Sequence, residues 1–167
     1  MAFKAKVLGR EALMKKLEKI TPGVTEAAAE AKIEAAKEAA SLISAAAPYE
    51  TGEYMESIQG GRQADHPDAH RIGTSTPSKD PDATGVYADY IWRFLEFGTA
   101  PHKIAAKEKP LLVFRGENGR FVSKKSVQHP GGHAEPHVFP TWNEFRPKAK
   151  KMINKAVNDA VKRSLGK

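Results

Sequence analysis

Between Tyr87 and His102 the chain reads Tyr-Ala-Asp-Tyr-Ile-Trp-Arg-Phe-Leu-Glu-Phe-Gly-Thr-Ala-Pro-His. Tyr87, Tyr90, Trp92, Phe94 and Phe97 crowd five aromatic rings into this one segment. Each ring removes a large apolar area from water when covered, so the segment is expected to be largely buried. Gly98-Thr99-Ala100-Pro101 then forces a turn, and Gly98 can take the positive φ that other residues avoid. Ile91, Leu95 and Gly98 suit one helical face, whereas the aromatic content suits a sheet; a short helix over residues 86–97 is the expectation. Glu96 is the one acidic side chain set among apolar neighbours here. A buried carboxylate can be a poised acid or base. Without a second acid or histidine at a defined distance, Glu96 reads instead as an anchor for nearby backbone N–H groups, for example those after Gly98.

The flanks of this segment are helical. Leu8, Ala12, Leu13, Leu17 and Ile20 recur three and four apart, which predicts an amphipathic helix over about residues 9–20. Thr21-Pro22-Gly23 breaks it. Thr25 is a plausible N-cap for a longer helix to Ala46, rich in Ala, Glu and Lys, the strong helix formers. Its length would be on the order of 30 Å. Glu34 with Lys37 adds mixed-sign support on its exposed face, its small apolar stripe lets a neighbour approach closely, and Pro48 ends it. A third helix is expected from Trp142 to Leu165, with Phe145, Ala149, Met152, Ile153, Ala156, Val157, Ala160 and Val161 on one face packed against a sheet. Pro147 is assigned to its first turn.

Shorter signals fill the middle. Residues 57–63 and 70–75 read as two Gly-weakened strands around a His66-Pro67-Asp68 turn, and residues 77–82 as a polar loop. Leu111–Phe114 and Arg120–Ser123 flank Asn118-Gly119, a strong hairpin signal. The expected fold is therefore α+β, an antiparallel sheet packed against long N- and C-terminal helices. Residues 1–167 form a single domain in this reading, with 1–22 as a mobile N-terminal helix, 24–47 helical, 57–140 mixed strands and loops, and 142–165 helical.

Composition narrows the chemistry. The chain has 167 residues and no cysteine, which excludes disulfides and thiolate chemistry. Early positive charge without an apolar run behind it makes a secretory leader unexpected, and no run approaches the roughly 20 apolar residues that span a bilayer. A soluble, unexported product is expected. The net charge of +7 gathers at the two ends. Lys151, Lys155 and their neighbours in the last helix could meet DNA or an acidic partner, or simply form a solvated face. No aromatic residue is interleaved among these cations to stack bases. His129, His133 and His137 are spaced four apart, but Pro130, Gly131, Gly132 and Pro136 forbid a regular helix there. A loop could still gather them together with Glu135, and His66, Asp68 and His70 could meet across a turn; neither set fixes a metal geometry. No nucleophile elbow and no phosphate-cradling glycine loop occur. No catalytic residue, metal or cofactor is assigned.

Three stretches carry a resemblance. They are Ala47-Pro-Tyr-Glu-Thr-Gly-Glu-Tyr-Met-Glu-Ser-Ile58; Tyr87-Ala88 with Glu96-Phe-Gly-Thr99; and Val127-Gln-His-Pro-Gly-Gly-His-Ala-Glu-Pro-His-Val-Phe-Pro-Thr-Trp142. In this order the chain resembles the head–tail joining, or tail-completion (neck), proteins of long-tailed phages, of the lambda minor tail protein Z type, over about residues 40–160. One departure is that Pro136-His-Val-Phe-Pro140 replaces the usual Pro-Phe-Leu-Pro. The resemblance implies a virion protein made in the host cytoplasm and acting without catalysis. It implies a ring-like homo-oligomer in contact with neighbouring neck or tail proteins, with DNA contact possible in the lumen, and with neither a membrane nor a small-molecule substrate. Motif or interface positions would be Pro48, Thr51, Gly52, Ser57, Tyr87, Glu96, Phe97, Gly98, Thr99, His129, Pro130, Gly131 and Pro136, joined by Lys151 and Lys155. A DNA-binding protein using the basic terminal helices is the alternative, and a metal-dependent hydrolase the third reading.

Overall fold

A computed structural model describes residues 15, 19, 21, 23–73, 78–79, 83–107, 110–116 and 118–166. Most of the helix expected over 9–20, of the mobile segment expected at 1–22 and of the 77–82 loop falls outside them.

Helix α1 runs Val24–Ala46, and its buried side is Ala35, Ala36, Ala39, Ala40 and Ile43. Small side chains let neighbours come close on both flanks. On one flank lies a three-stranded antiparallel sheet of β1 (Gln59–Arg62), β2 (His70–Arg71) and β3 (Thr84–Ala88), in the order β1-β3-β2. Gly60 in β1 lies so near the Ala36 carbonyl that any Cβ would collide with it. On the other flank lies the C-terminal helix described below; between α1 and β1, the short helix α2 (Glu53–Ser57) follows Gly52, whose φ is 88°. Thr25 sits inside the first turn of α1 and Gly23, at φ 80°, holds the cap position, so the expected Thr25 cap is displaced. Ala47 N–H still closes on Ser44 O at 3.2 Å before Pro48, where the chain was expected to break.

The aromatic segment is neither one helix nor one strand. It is β3, a turn at Asp89–Tyr90, then helix α3 (Trp92–Phe97). Two elements meeting at a turn can present only some of their side chains to one core. Tyr87 and Trp92 are buried, whereas Tyr90, Phe94 and Phe97 are 54%, 46% and 64% exposed, so the expected general burial fails for three of five rings. Residues 57–63 divide similarly, the strand beginning only at Gln59, and β2 stops at Arg71.

The remaining strands form two separate ribbons. β4 (His102–Ala105) pairs with β7 (Ser126–His129), and β5 (Leu112–Arg115) with β6 (Phe121–Lys124), all antiparallel. The second is the hairpin that Asn118-Gly119 announces. The C-terminal helix α4 spans Val138–Ser164, starting before the expected Trp142. Pro140, not Pro147, therefore occupies its first turn. Pro147 lies inside the helix and deprives the Asn143 carbonyl of its helical donor; both residues are exposed, where water can substitute. The apolar stripe of α4 packs on α1 rather than on the sheet: Phe145 and Ala149 are buried against Ala35 and Ala39, with Val86 of β3 reaching the same cluster. A second cluster joins Ala40, Ile43 and Ala47 to Tyr54, Ile58, Ala88, Trp92 and Val138. The architecture is α+β, as expected. No helix among the described residues is long and apolar enough to cross a membrane.

Candidate functional site

An α-helix begins with backbone N–H groups that have no partner within the helix. At the start of α4 no local side chain supplies one, because the cap residue His137 makes no side-chain cap bond. The acceptor comes from α3. Glu96, 3% exposed, takes the His137 N–H at 2.7 Å and the Val138 N–H at 2.8 Å on Oε2, and the Phe139 N–H at 3.1 Å on Oε1. Such charge-assisted bonds are about twice as strong as neutral ones, and a carboxylate also complements the positive end of the helix dipole. Glu96 is thus the anchor the sequence indicates, but its donors are the amides of residues 137–139 rather than those after Gly98.

His137 completes the arrangement. Its Nδ1 lies 2.7 Å from the Glu135 carbonyl, which can only accept, so Nδ1–H donates there. Nε2 is then free to accept the Tyr54 O–H at 2.7 Å. Burial first, and the Glu96 charge second, push the Tyr54 phenol well above its ordinary pKa, which keeps it a donor. Glu96 Oε2 lies 3.5 Å from His137 Nδ1.

Backbone contacts extend this latch. Leu95 O accepts the Glu135 N–H at 2.7 Å, and Thr99 and Gly132 exchange backbone bonds at 3.0 and 3.2 Å. Thr99 Oγ1 also accepts the Gly132 N–H at 2.8 Å. Gly98 takes φ 69°, and a Cβ there would stand 2.6 Å from Gly132 O. Gly131, at φ 92°, lies so near the Thr99 carbonyl that a Cβ would collide with it. Both glycines are required by close backbone approach as well as by φ.

The three resembling stretches therefore meet at one place. Tyr54 comes from the first, Glu96 and Thr99 from the second, Gly132 and His137 from the third. Ser57 ties the first stretch to the residue that follows Ala88, its Oγ donating to Tyr54 O and accepting the Asp89 N–H at 3.1 Å. Sequence reasoning gave Tyr54 no role of its own, took Gly132 only as a helix breaker, and weighed His137 only as a metal ligand. The position of Tyr54 in the first stretch was the available signal, but contacts between distant segments leave no periodicity to read.

Other singled-out residues lie around or away from the latch. Pro48 is half-buried after α1, and exposed Thr51 weakly receives the Glu53 N–H at 3.4 Å. Tyr87 is buried and stacks on His66, ring centroids 4.6 Å apart. Exposed Phe97 leans on Phe139 at 5.9 Å. His129 accepts the Gly131 N–H and stands beside His102 at 5.1 Å, while Pro130 and Pro136 are exposed. His129 and His137 thus serve separate local contacts, and among the described residues no group of three or more His, Asp or Glu side chains is placed to hold a metal. On α4, Lys151 is exposed, Lys148 pairs with Glu38, and Lys155 pairs with Asp159 at 3.2 Å. Beside the latch an open groove of about 750 Å³ runs between α1, the sheet and α4, with Phe139, Trp142 and Ile153 on one wall and Lys32 and Arg71 among its other lining residues.

Residues 11–98 match the family model described as "Bacteriophage HK97-gp10, putative tail-component". The match includes the first resembling stretch and the second up to Gly98, and ends before the third. No curated protein and no solved structure matches significantly. More than half of the chain is covered by the family model, and the chain belongs to the HK97-gp10-like family of phage tail components.

Proposed function

We propose that this tail component acts at the head–tail junction or the top of the tail, as a neck or tail-completion part. Residues 1–167 work as a single domain, made in the host cytoplasm and built into the virion. The protein binds copies of itself in a ring and touches adjoining head or tail proteins, without catalysis and without a cofactor.

The observation that carries this reading is the apolar surface beside the latch. Tyr90, Phe94 and Phe97 are exposed on and before α3, and Phe139 and Trp142 continue the surface across the start of α4. Tyr90 meets Phe94 with ring centroids 6.1 Å apart and Phe97 meets Phe139 at 5.9 Å, and exposed apolar rings grouped in this way fit a contact surface. The latch holds α3 and α4 in one fixed relation, so the rings form a set surface rather than a mobile one. Assembly needs such a surface; the titratable groups that do converge, Tyr54, Glu96 and His137, are buried and spend their polar atoms on one another and on backbone groups. The exposed cations of α4, Lys151 and Lys155 among them, would face either an acidic partner or DNA in the lumen.

Loss of the protein from an infection is expected to leave filled heads and separate tails, or tails with abnormal ends, and purified protein should restore joining. Normal infectious particles without it would refute the assignment.

A further inference from the structure

Residues 100–130 differ from the rest of the chain in having no core. Among those described, none is buried, and neither ribbon packs substantially on a helix or on the three-stranded sheet. Opposite residues of an antiparallel pair share a face. In the β5–β6 hairpin one face carries Leu112, Phe114 and Val122, and the other Val113, Arg115 and Phe121. Val113 and Phe121 are 66% and 74% exposed. An isolated two-stranded hairpin is marginally stable in water, and this one is apolar on both faces. It is therefore built to be covered.

Charge indicates by what. Residues 101–129 hold seven Lys and Arg against Glu108 and Glu117. Residues 24–58 hold seven Glu against Lys32 and Lys37. Of these glutamates Glu26, Glu30, Glu34, Glu50, Glu53 and Glu56 are exposed. The two segments are opposite in sign and equal in excess. Nucleic acid would answer the cations but would leave Val113 and Phe121 in water.

We infer that residues 100–130 are an arm by which one copy grips the glutamate-rich flank, residues 24–58, of the next copy. This rests on the self-association proposed above. Such a contact is heterologous, each copy giving its arm and receiving another, so it propagates around a ring. Thr99 and Gly132 clamp the root of the arm to the latch, which fixes its point of departure.

The test places a photo-crosslinking p-benzoylphenylalanine at Phe121 and irradiates assembled particles. The expected product is a dimer of the chain whose linked peptide lies within residues 24–58. Linkage to another virion protein, to DNA, or to no partner would overturn the arm assignment. General amine crosslinking of the same particles separates the two claims: a multimer ladder without the Phe121 product removes the arm and keeps the ring, and no ladder removes both. Independently, Arg120→Glu with Lys124→Glu and Lys125→Glu should lower incorporation at least about tenfold through like-charge contact. Adding Glu26→Lys, Glu30→Lys and Glu53→Lys to the same chain should restore it. Failure of that rescue, with both variants folded, would also overturn the inference.

Discussion

The body around α1 and the arm at residues 100–130 solve opposite problems with similar composition. Both are rich in apolar and charged residues. In the body, Phe145, Val138, Tyr87 and Trp92 lose nearly all contact with water, and Glu96 and His137 go in with their polar atoms matched. In the arm, Val113 and Phe121 stay mostly in water, with the Arg115 guanidinium over the Phe121 ring at 5.7 Å. The difference teaches that hydrophobicity in this sequence serves two ends, a core that the monomer completes and a surface that it does not. Substitutions of equal chemical size should therefore have very unequal effects in the two regions.

The largest effect is expected at Glu96. Glu96→Leu strips acceptors from three amides at the start of α4 and should lower stability by about 3–5 kcal/mol, as breaking a buried charged network does. Chemical denaturation would measure it; a loss below about 1 kcal/mol would place the helix start in water instead. Next comes Gly98→Val, where both the positive φ and the Gly132 carbonyl oppose a side chain. A loss of about 1–3 kcal/mol is expected, and an unchanged melting temperature would show that the turn is ordinary.

Tyr54→Phe removes one neutral hydrogen bond to His137 and should cost about 1 kcal/mol near neutral pH. Its pH dependence is more telling. The folded phenol is raised above the unfolded value of about 10. Stability from this group is therefore complete below about pH 10 and declines as pH rises above it. The Tyr54→Phe variant should lack that component of the alkaline decline, and matching alkaline curves for the two proteins would remove Tyr54 from the buried latch. The smallest effect on the monomer is expected in the arm. Phe121→Ser should change stability by no more than about 0.5 kcal/mol, while incorporation into particles falls. A loss as large as that at Glu96 would mean the arm belongs to the core.

The two long helices among the described residues and the hairpin were legible in the sequence because their signals are local. Apolar spacing set the stripe of α4, and Asn118-Gly119 set the β5–β6 turn. What local signals could not reveal was partner choice. The α4 stripe was assigned to a sheet and lies on α1, since any apolar surface satisfies the same periodicity. The start of α4 was placed late because its cap is Glu96, forty-one residues before His137. Aromatic density suggested burial throughout 87–97, but rings that the fold covers and rings that it leaves exposed read alike in a sequence. Net charge drew attention to the chain ends, while the excess of cations in the arm was diluted in the whole-chain total.

Hydrogen exchange, followed on the isolated protein and on assembled particles, tests the contrast between body and arm most directly. The amides of residues 137–139, held by Glu96, should exchange slowly in both states. Those of the β5–β6 hairpin should exchange quickly in the isolated protein, because such a ribbon opens readily, and should become protected on assembly. Equal protection of the hairpin and residues 137–139 in the isolated protein would contradict the account, as would a hairpin that stays unprotected in the particle.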